Sequence, residues 1–423
     1  MLHKTIRLLL ILALMLGGTA SVFAQDTAPT APHDENATRS LYLPLVQAGG
    51  QTAAPEATPL DEADLTDTMD AVEAASSGDT GPVFVTTNAI DDVRGNEIVM
   101  YSRAPAGALT LTGRFPTGGQ GLGSGLGSQG ALMLSNNGHW LFAVNAGSNE
   151  ISVFSVHQTG LLLTDKVASG GVRPISLTVR KNLVYVLNAG DPGNITGFKL
   201  HENGTLTPLA DSTRPLSNNN TGAAPGPAQV SFTPDGDALV VTEKGTNLID
   251  IYQVHKNGLT TGPMTHASSG MTPFGFAFAD DTLIVSEAFG GVADASAASS
   301  YAVGKEQFKL LSASIPTGQT AACWVVVTKD GRYAYTTNAG SASVSGYQVD
   351  KAGRLTLLNS RAGVTGDGTG PADVAMSHRS RLLYVLSPRS QTVIGFAVQT
   401  DGSLISVGSF GGLGAGAAGI AAW

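Results

Sequence analysis

One phrase recurs along this chain with small changes, and it constrains the fold more than any other feature. It reads Leu141-Phe142-Ala143-Val144-Asn145-Ala146-Gly147-Ser148, then Val184-Tyr185-Val186-Leu187-Asn188-Ala189-Gly190, then Tyr335-Thr336-Thr337-Asn338-Ala339-Gly340-Ser341. Weaker copies occur at Phe84 to Asn88, Val240 to Gly245, Ile284 to Glu287 and Tyr384 to Ser387. The copies are spaced by roughly 43 to 57 residues, a period that indicates a solenoid, propeller or array. Around the fullest copy, Ala228 to Phe232, Ala238 to Thr242 and Leu248 to Tyr252 alternate apolar and polar residues. Asp235-Gly236 and Asn257-Gly258 turns bound these runs, and a weaker fourth run follows. Period two between such turns is the strand and hairpin signal. The expected fold is therefore all-β, a seven-bladed β-propeller of four-stranded blades over residues 81–423.

The first unit lacks an inner strand. Gly419-Ile420-Ala421-Ala422-Trp423 has the spacing of one and nothing after it, so the C-terminus is expected to pair into blade one and close the ring.

Ahead of the repeats, Lys4 and Arg7 precede an apolar run, Leu8 to Leu16, and a small-residue site at Val22-Phe23-Ala24. Residues 1–24 read as a secretory signal peptide, the apolar stretch being too short to span a bilayer. Residues 25–80 are rich in Ala, Thr and Pro and acidic toward their end, the composition of a disordered linker. A secreted, periplasmic or cell-surface protein is expected. The net charge of −9 argues against nucleic acid, and the single cysteine, Cys323, excludes an internal disulfide. A monomer is expected.

The repeat segments, the Pro234-Asp235-Gly236 turn, the Asn203-Gly204-Thr205-Leu206 and Asp401-Gly402-Ser403-Leu404 turns and the Gly-Ile-Ala-Ala ending together resemble the lactonase-like seven-bladed propellers. That is the family of 6-phosphogluconolactonase and carboxymuconate cyclase. The resemblance implies a lactone hydrolase or lactonising cycloisomerase with His and Arg groups on one face, including an Arg-His pair after Gly-Pro. Here Gly226-Pro227 is followed by Ala228-Gln229, so that pair is missing. The missing pair leaves two readings open: a propeller that binds a small polar ligand and turns it over, or a non-catalytic cell-surface scaffold that holds another protein.

In a propeller, loops from second to third strands share a face with the segments that open each blade. We call this the phrase face and the opposite one the turn face. The phrase face should carry Asn145, Asn188 and Asn338, which cap their turns or contact a ligand, together with Arg173, Gln229, Gln319 and Trp324. Glu243 and Glu287 replace Asn in blades four and five. Two carboxylates at one channel can bind a metal such as Ca²⁺ or divide acid and base work, with Lys244 or Arg173 stabilising an oxyanion. The sequence itself demands no cofactor. Cys323 reads as a buried apolar group, and Phe274, Phe276, Tyr301 and Trp324 as blade packing or an apolar wall. Gly125-x-Gly127-x-x-Gly130 precedes a strand rather than a helix, so it reads as a flexible loop rather than a dinucleotide site. The loop from Ala288 to Ala298 reads as either a lid or a tolerated insertion.

Overall fold

The structure is a computed structural model that describes residues 80–222, 224–304 and 307–423. The signal-peptide and linker readings, residues 1–24 and 25–80, lie outside the described residues apart from Thr80. Each repeat forms an antiparallel four-stranded sheet, and there are seven. Blade four shows the unit: Pro227–Phe232, Ala238–Glu243, Leu248–Val254 and Thr260–Ala267 run from inside to outside. Blade three carries an additional short strand, Arg214–Pro215, beside its third. Among the described residues no helix is long and apolar enough to cross a membrane.

The C-terminal strand Ile420–Ala422 is the inner strand of blade one and pairs antiparallel with Gly81–Thr86, Val83 facing Ala422 and Val85 facing Ile420. The first and last strands of the domain therefore share one sheet, and the inner edge of Gly81–Thr86 is paired.

A flat four-stranded sheet has two apolar faces to bury, and its neighbours on the ring cover them. The core is accordingly divided into clusters at blade boundaries. Phe142 and Val153 of blade two pack with Leu177, Val186 and Phe198 of blade three, and Val240 and Ile251 of blade four with Phe276 and Val285 of blade five. The tyrosine of the phrase has a polar task as well. Tyr185 donates to Gly258 O at 2.8 Å, Tyr335 to Gly402 O at 2.8 Å and Tyr384 to Gly107 O at 2.7 Å. Each phenol thus satisfies a carbonyl in the outer turn of the next blade, linking two motifs that the sequence shows separately.

Candidate functional site at the channel floor

The residue that ends each second strand turns into its blade. Asn145 and Asn338 are fully buried and donate to Ser152 Oγ at 2.8 Å and Ser345 Oγ at 2.9 Å, while Asn188 donates to Ser169 O at 3.2 Å and Asn194 Oδ1 at 2.8 Å. These amides fasten the second strand to the third and to the preceding blade, and none of the three side chains is exposed.

The glutamates follow the same geometry. Glu287 is fully buried and accepts from the Gly270 amide at 2.8 Å, Ser299 Oγ at 2.5 Å and Ser314 Oγ at 2.7 Å. Burial still pushes its carboxyl upward, against those donors. Glu243 is also fully buried and accepts from the Ser217 amide at 3.0 Å, Ser217 Oγ at 2.5 Å and Thr246 Oγ1 at 2.5 Å. The two glutamates share no partner, and neither reaches solvent. Beside Glu243 lies a group that the repeat phrase does not contain, Asp250. It is fully buried, and burial followed by the nearby charge of Glu243 raises its carboxyl to about 9.

Lys244 leaves the blade and crosses the phrase face. Its ammonium donates to Gly127 O and to Pro227 O, the latter at 3.0 Å, and stands 4.7 Å from the centre of the Phe274 ring. Burial first, then Arg173, lower its pKa to about 8. Phe274 in turn packs on Trp324 with ring centres 5.0 Å apart. Phe276 and Tyr301 belong instead to the cluster between blades four and five. Arg173 is committed to Ala189 O at 2.9 Å, and Gln319 receives Ser343 Oγ at 3.0 Å. Cys323 is buried, which pushes its thiol up to about 12. The loop after Ala288 is tied to blade six, the Asp294 amide donating to Thr320 Oγ1 at 3.0 Å and Ser296 Oγ to Gln319 O at 2.5 Å.

The glycine-rich segment departs most from its sequence reading. It is a bolt across the axis rather than a flexible loop. Ser128 donates to Ile175 O at 2.8 Å in blade three and accepts Trp324 Nε1 at 2.8 Å through its own carbonyl. The Gln129 amide side chain exchanges two bonds with Val325 of blade six: its Nε2 donates to Val325 O at 2.7 Å and its Oε1 accepts Val325 N–H at 3.0 Å. Its backbone N–H reaches Ala228 O of blade four at 3.1 Å. Gly275 makes the space, because a Cβ there would stand 2.1 Å from Gln129 Oε1. Gln229 uses the same pairing one blade on, with Phe276 N–H and C=O at 2.7 and 3.0 Å.

With the axis bolted on the phrase face, the channel opens on the turn face. A cavity of about 540 Å³ runs inward between the inner strands of blades seven, one and two, with His378, Lys329 and Trp423 at its mouth and Gln129, Gln229 and Asp373 at its floor. His378 stacks on Trp423 at 4.4 Å and lies 3.4 Å from Lys329 Nζ. Asp373 is buried, accepts the Val374 amide at 2.9 Å, and is approached by the Ile420 and Gly130 amides. It therefore ties together blade seven, the closing strand and the bolt. Burial outweighs these donors and holds the carboxyl up at about 7. Sequence reasoning passed over Asp373, although a signal existed: Ser176, Gln229, Gly275 and Asp373 each stand two residues after a proline at a blade entry (Pro174, Pro227, Pro273 and Pro371), and Trp324 stands two after Ala322. That column lines or fills the axis.

A carboxyl whose pKa the fold raises is protonated more readily when folded, so the native state binds the extra proton and stability falls as pH rises through the interval. For Asp373 this interval runs from the ordinary value of 3.8 to about 7. Wild-type protein is expected to lose about 1.4 kcal/mol per pH unit there from this group. Asp373→Asn should flatten that slope. Chemical denaturation at pH 5 and pH 8 measures it; equal slopes in both proteins would refute the assignment.

Among the described residues, no three His, Cys, Asp or Glu side chains converge as a metal site. The fold has counterparts. A probable 6-phosphogluconolactonase of Arthroderma benhamiae is 26% identical over 271 residues, covering 59% of this chain and 68% of that protein. The solved structure of a putative 6-phosphogluconolactonase from Bacteroides fragilis superposes with a TM-score of 0.64 at 17% identity, covering 82% of this chain and 98% of that one. A periplasmic gluconolactonase of Pseudomonas aeruginosa gives a TM-score of 0.62 at 16% identity, covering 81% and 98%. The family model described as a lactonase, seven-bladed beta-propeller, matches residues 95–214 and 121–411, and with that span the chain belongs to the seven-bladed propeller lactonase family.

Proposed function

We propose that this protein hydrolyses a small, uncharged, polar lactone bound in the axial cavity, with Asp373 as general base. The observation that carries the reading is the cavity floor: one carboxyl held near neutral pKa beside two amide side chains, at the end of a 540 Å³ channel. A base is most effective when its pKa lies near the working pH. Asp373 takes a proton from water as the water oxygen bonds to the lactone carbonyl carbon. The ring C–O bond then breaks, and the leaving alkoxide recovers the proton to give the hydroxy acid. Each glutamine amide nitrogen carries a second N–H beyond the one already engaged, suited to the developing oxyanion. Glu243 and Glu287 have no part in this chemistry, because neither lines the cavity. Lys329 is the cationic group at the mouth and none lies at the floor, which favours an unphosphorylated substrate. Membership of the lactonase family and the names of the relatives support the reaction class.

The test is turnover of five- and six-membered sugar lactones, phosphorylated and unphosphorylated, by the wild type and Asp373→Asn. The wild type is expected to favour the unphosphorylated ring, and the variant to lose activity by about 100-fold or more, the usual scale for a general base. A wild type that turns over no lactone, and that no lactone stabilises against heat, would overturn the proposal.

A further inference from the structure

Blade four departs from a pattern that blades two, three, five and six share. In each blade the residue ending the second strand lies diagonally across from a third-strand residue on the same face of the sheet. The strand registers place Ser152, Thr196, Ser299 and Ser345 at that position in blades two, three, five and six, opposite Ala143, Val186, Val285 and Thr336. A hydroxyl there can give a proton to, or take one from, whatever ends the second strand, and so it suits Asn145 and Glu287 alike. In blade four the residue opposite Val241 is Asp250. A carboxyl group faces Glu243 where a hydroxyl faces Glu287.

Glu243 does not need Asp250, since it already receives three donors from Ser217 and Thr246. Asp250 is different. Both of its oxygens are buried without a hydrogen-bond partner, and the strand register sets the side chain on the same face of the sheet as Glu243. Two adjoining carboxyl groups out of water must hold a proton or a cation between them. The surrounding donors favour the cation. Glu243 and Asp250 supply four carboxyl oxygens, and Ser217 Oγ and Thr246 Oγ1 add two hydroxyls that retain lone pairs while donating. Six hard oxygens with no nitrogen or sulfur is the donor set of a calcium-class ion. Ser217 and Thr246 are only half-buried, so the pair lies one side chain from solvent.

We propose that blade four contains a structural binding site for one divalent cation of the Ca²⁺ class, held by Glu243, Asp250, Ser217 and Thr246. The ion would clamp the end of the second strand to the third strand and to the segment that enters from blade three. This site is separate from the channel floor and does not depend on what the channel binds.

The purified protein, stripped with EDTA and exchanged into chelator-free buffer, is melted with CaCl₂, with MgCl₂ and with neither, and its calcium content is measured after dialysis. One calcium per chain and a melting temperature that rises with CaCl₂ and less with MgCl₂ are expected. Asp250→Asn should lose the bound calcium and the rise. Because that variant can fold poorly, Asp250→Ser is the companion: it restores the hydroxyl used by blade five, and should fold, melt at or above the stripped wild type and ignore CaCl₂. The same melting temperature for the wild type with and without CaCl₂, with no retained metal, would mean that a proton occupies the pair and would overturn the proposal. So would a calcium response that survives in Asp250→Ser.

Discussion

Deleting residues 420–423 is expected to leave a protein that melts about 8 °C lower or more and aggregates on warming. The segment is short, but its contributions all fall at one joint. Ile420 is 4% exposed, and burying such a side chain stabilises by about 2–3 kcal/mol. The ladder to Gly81–Thr86 adds several backbone bonds of about 1 kcal/mol each, among them Trp423 N–H to Pro82 O at 3.0 Å. Together they approach 4 kcal/mol or more, and for a domain of this size each kilocalorie shifts the midpoint by roughly 2 °C. Truncation also exposes the inner edge of blade one as a template for intermolecular pairing. Differential scanning calorimetry and light scattering on the truncated chain measure both effects. An unchanged midpoint would show that the ring is held without its closing strand.

The second large effect is expected from Gln129→Ala. Gln129 satisfies both the N–H and the C=O of Val325 inside the ring, at 3.0 and 2.7 Å. Alanine abandons both groups in a buried place, and each buried unsatisfied group costs about 1–3 kcal/mol. A loss of about 2–5 kcal/mol is therefore expected. Gln129→Glu is the informative partner: it keeps the acceptor for Val325 N–H but sets a carboxylate against Val325 O, so it should be at least as damaging as alanine. Denaturant midpoints for the two variants decide this. A glutamate variant as stable as the wild type would mean that the side chain does not span the axis. On the proposed function, both variants should also lower lactone turnover, because the floor of the cavity is made by this residue.

How much of this was legible can be judged residue by residue. Strand alternation and Asp-Gly turns are local signals, and they placed the blades, their strand order and the closing strand. The phrase Tyr and Asn positions were visible too, but their tasks were not. Asn145 carries the same letters whether it faces a ligand or Ser152, and only the register decides. Glu243 and Glu287 stood out because they broke the phrase. They proved to be buried within their own blades, because the strand's last side chain points into the sheet stack and not along the axis. Asp250 and Asp373 passed unremarked, since each breaks a column that appears only when inner or third strands are aligned blade against blade. The glycine-rich segment was misread because glycine content measures backbone freedom in the unfolded chain. It does not report the three blades whose carbonyls and amides wait along the axis.

By itself, the sequence determined the blade count, the all-β class and the joining of the two ends of the ring, because each depends on period, turn chemistry and strand pattern within some fifty residues. The tertiary structure alone decided which face is open. That choice depends on Gln129 reaching Val325 across 196 positions of sequence, through a gap left by the missing side chain of Gly275. Contacts of that separation leave no periodic trace in the chain, so the repeat could announce the ring while concealing the end at which its channel opens.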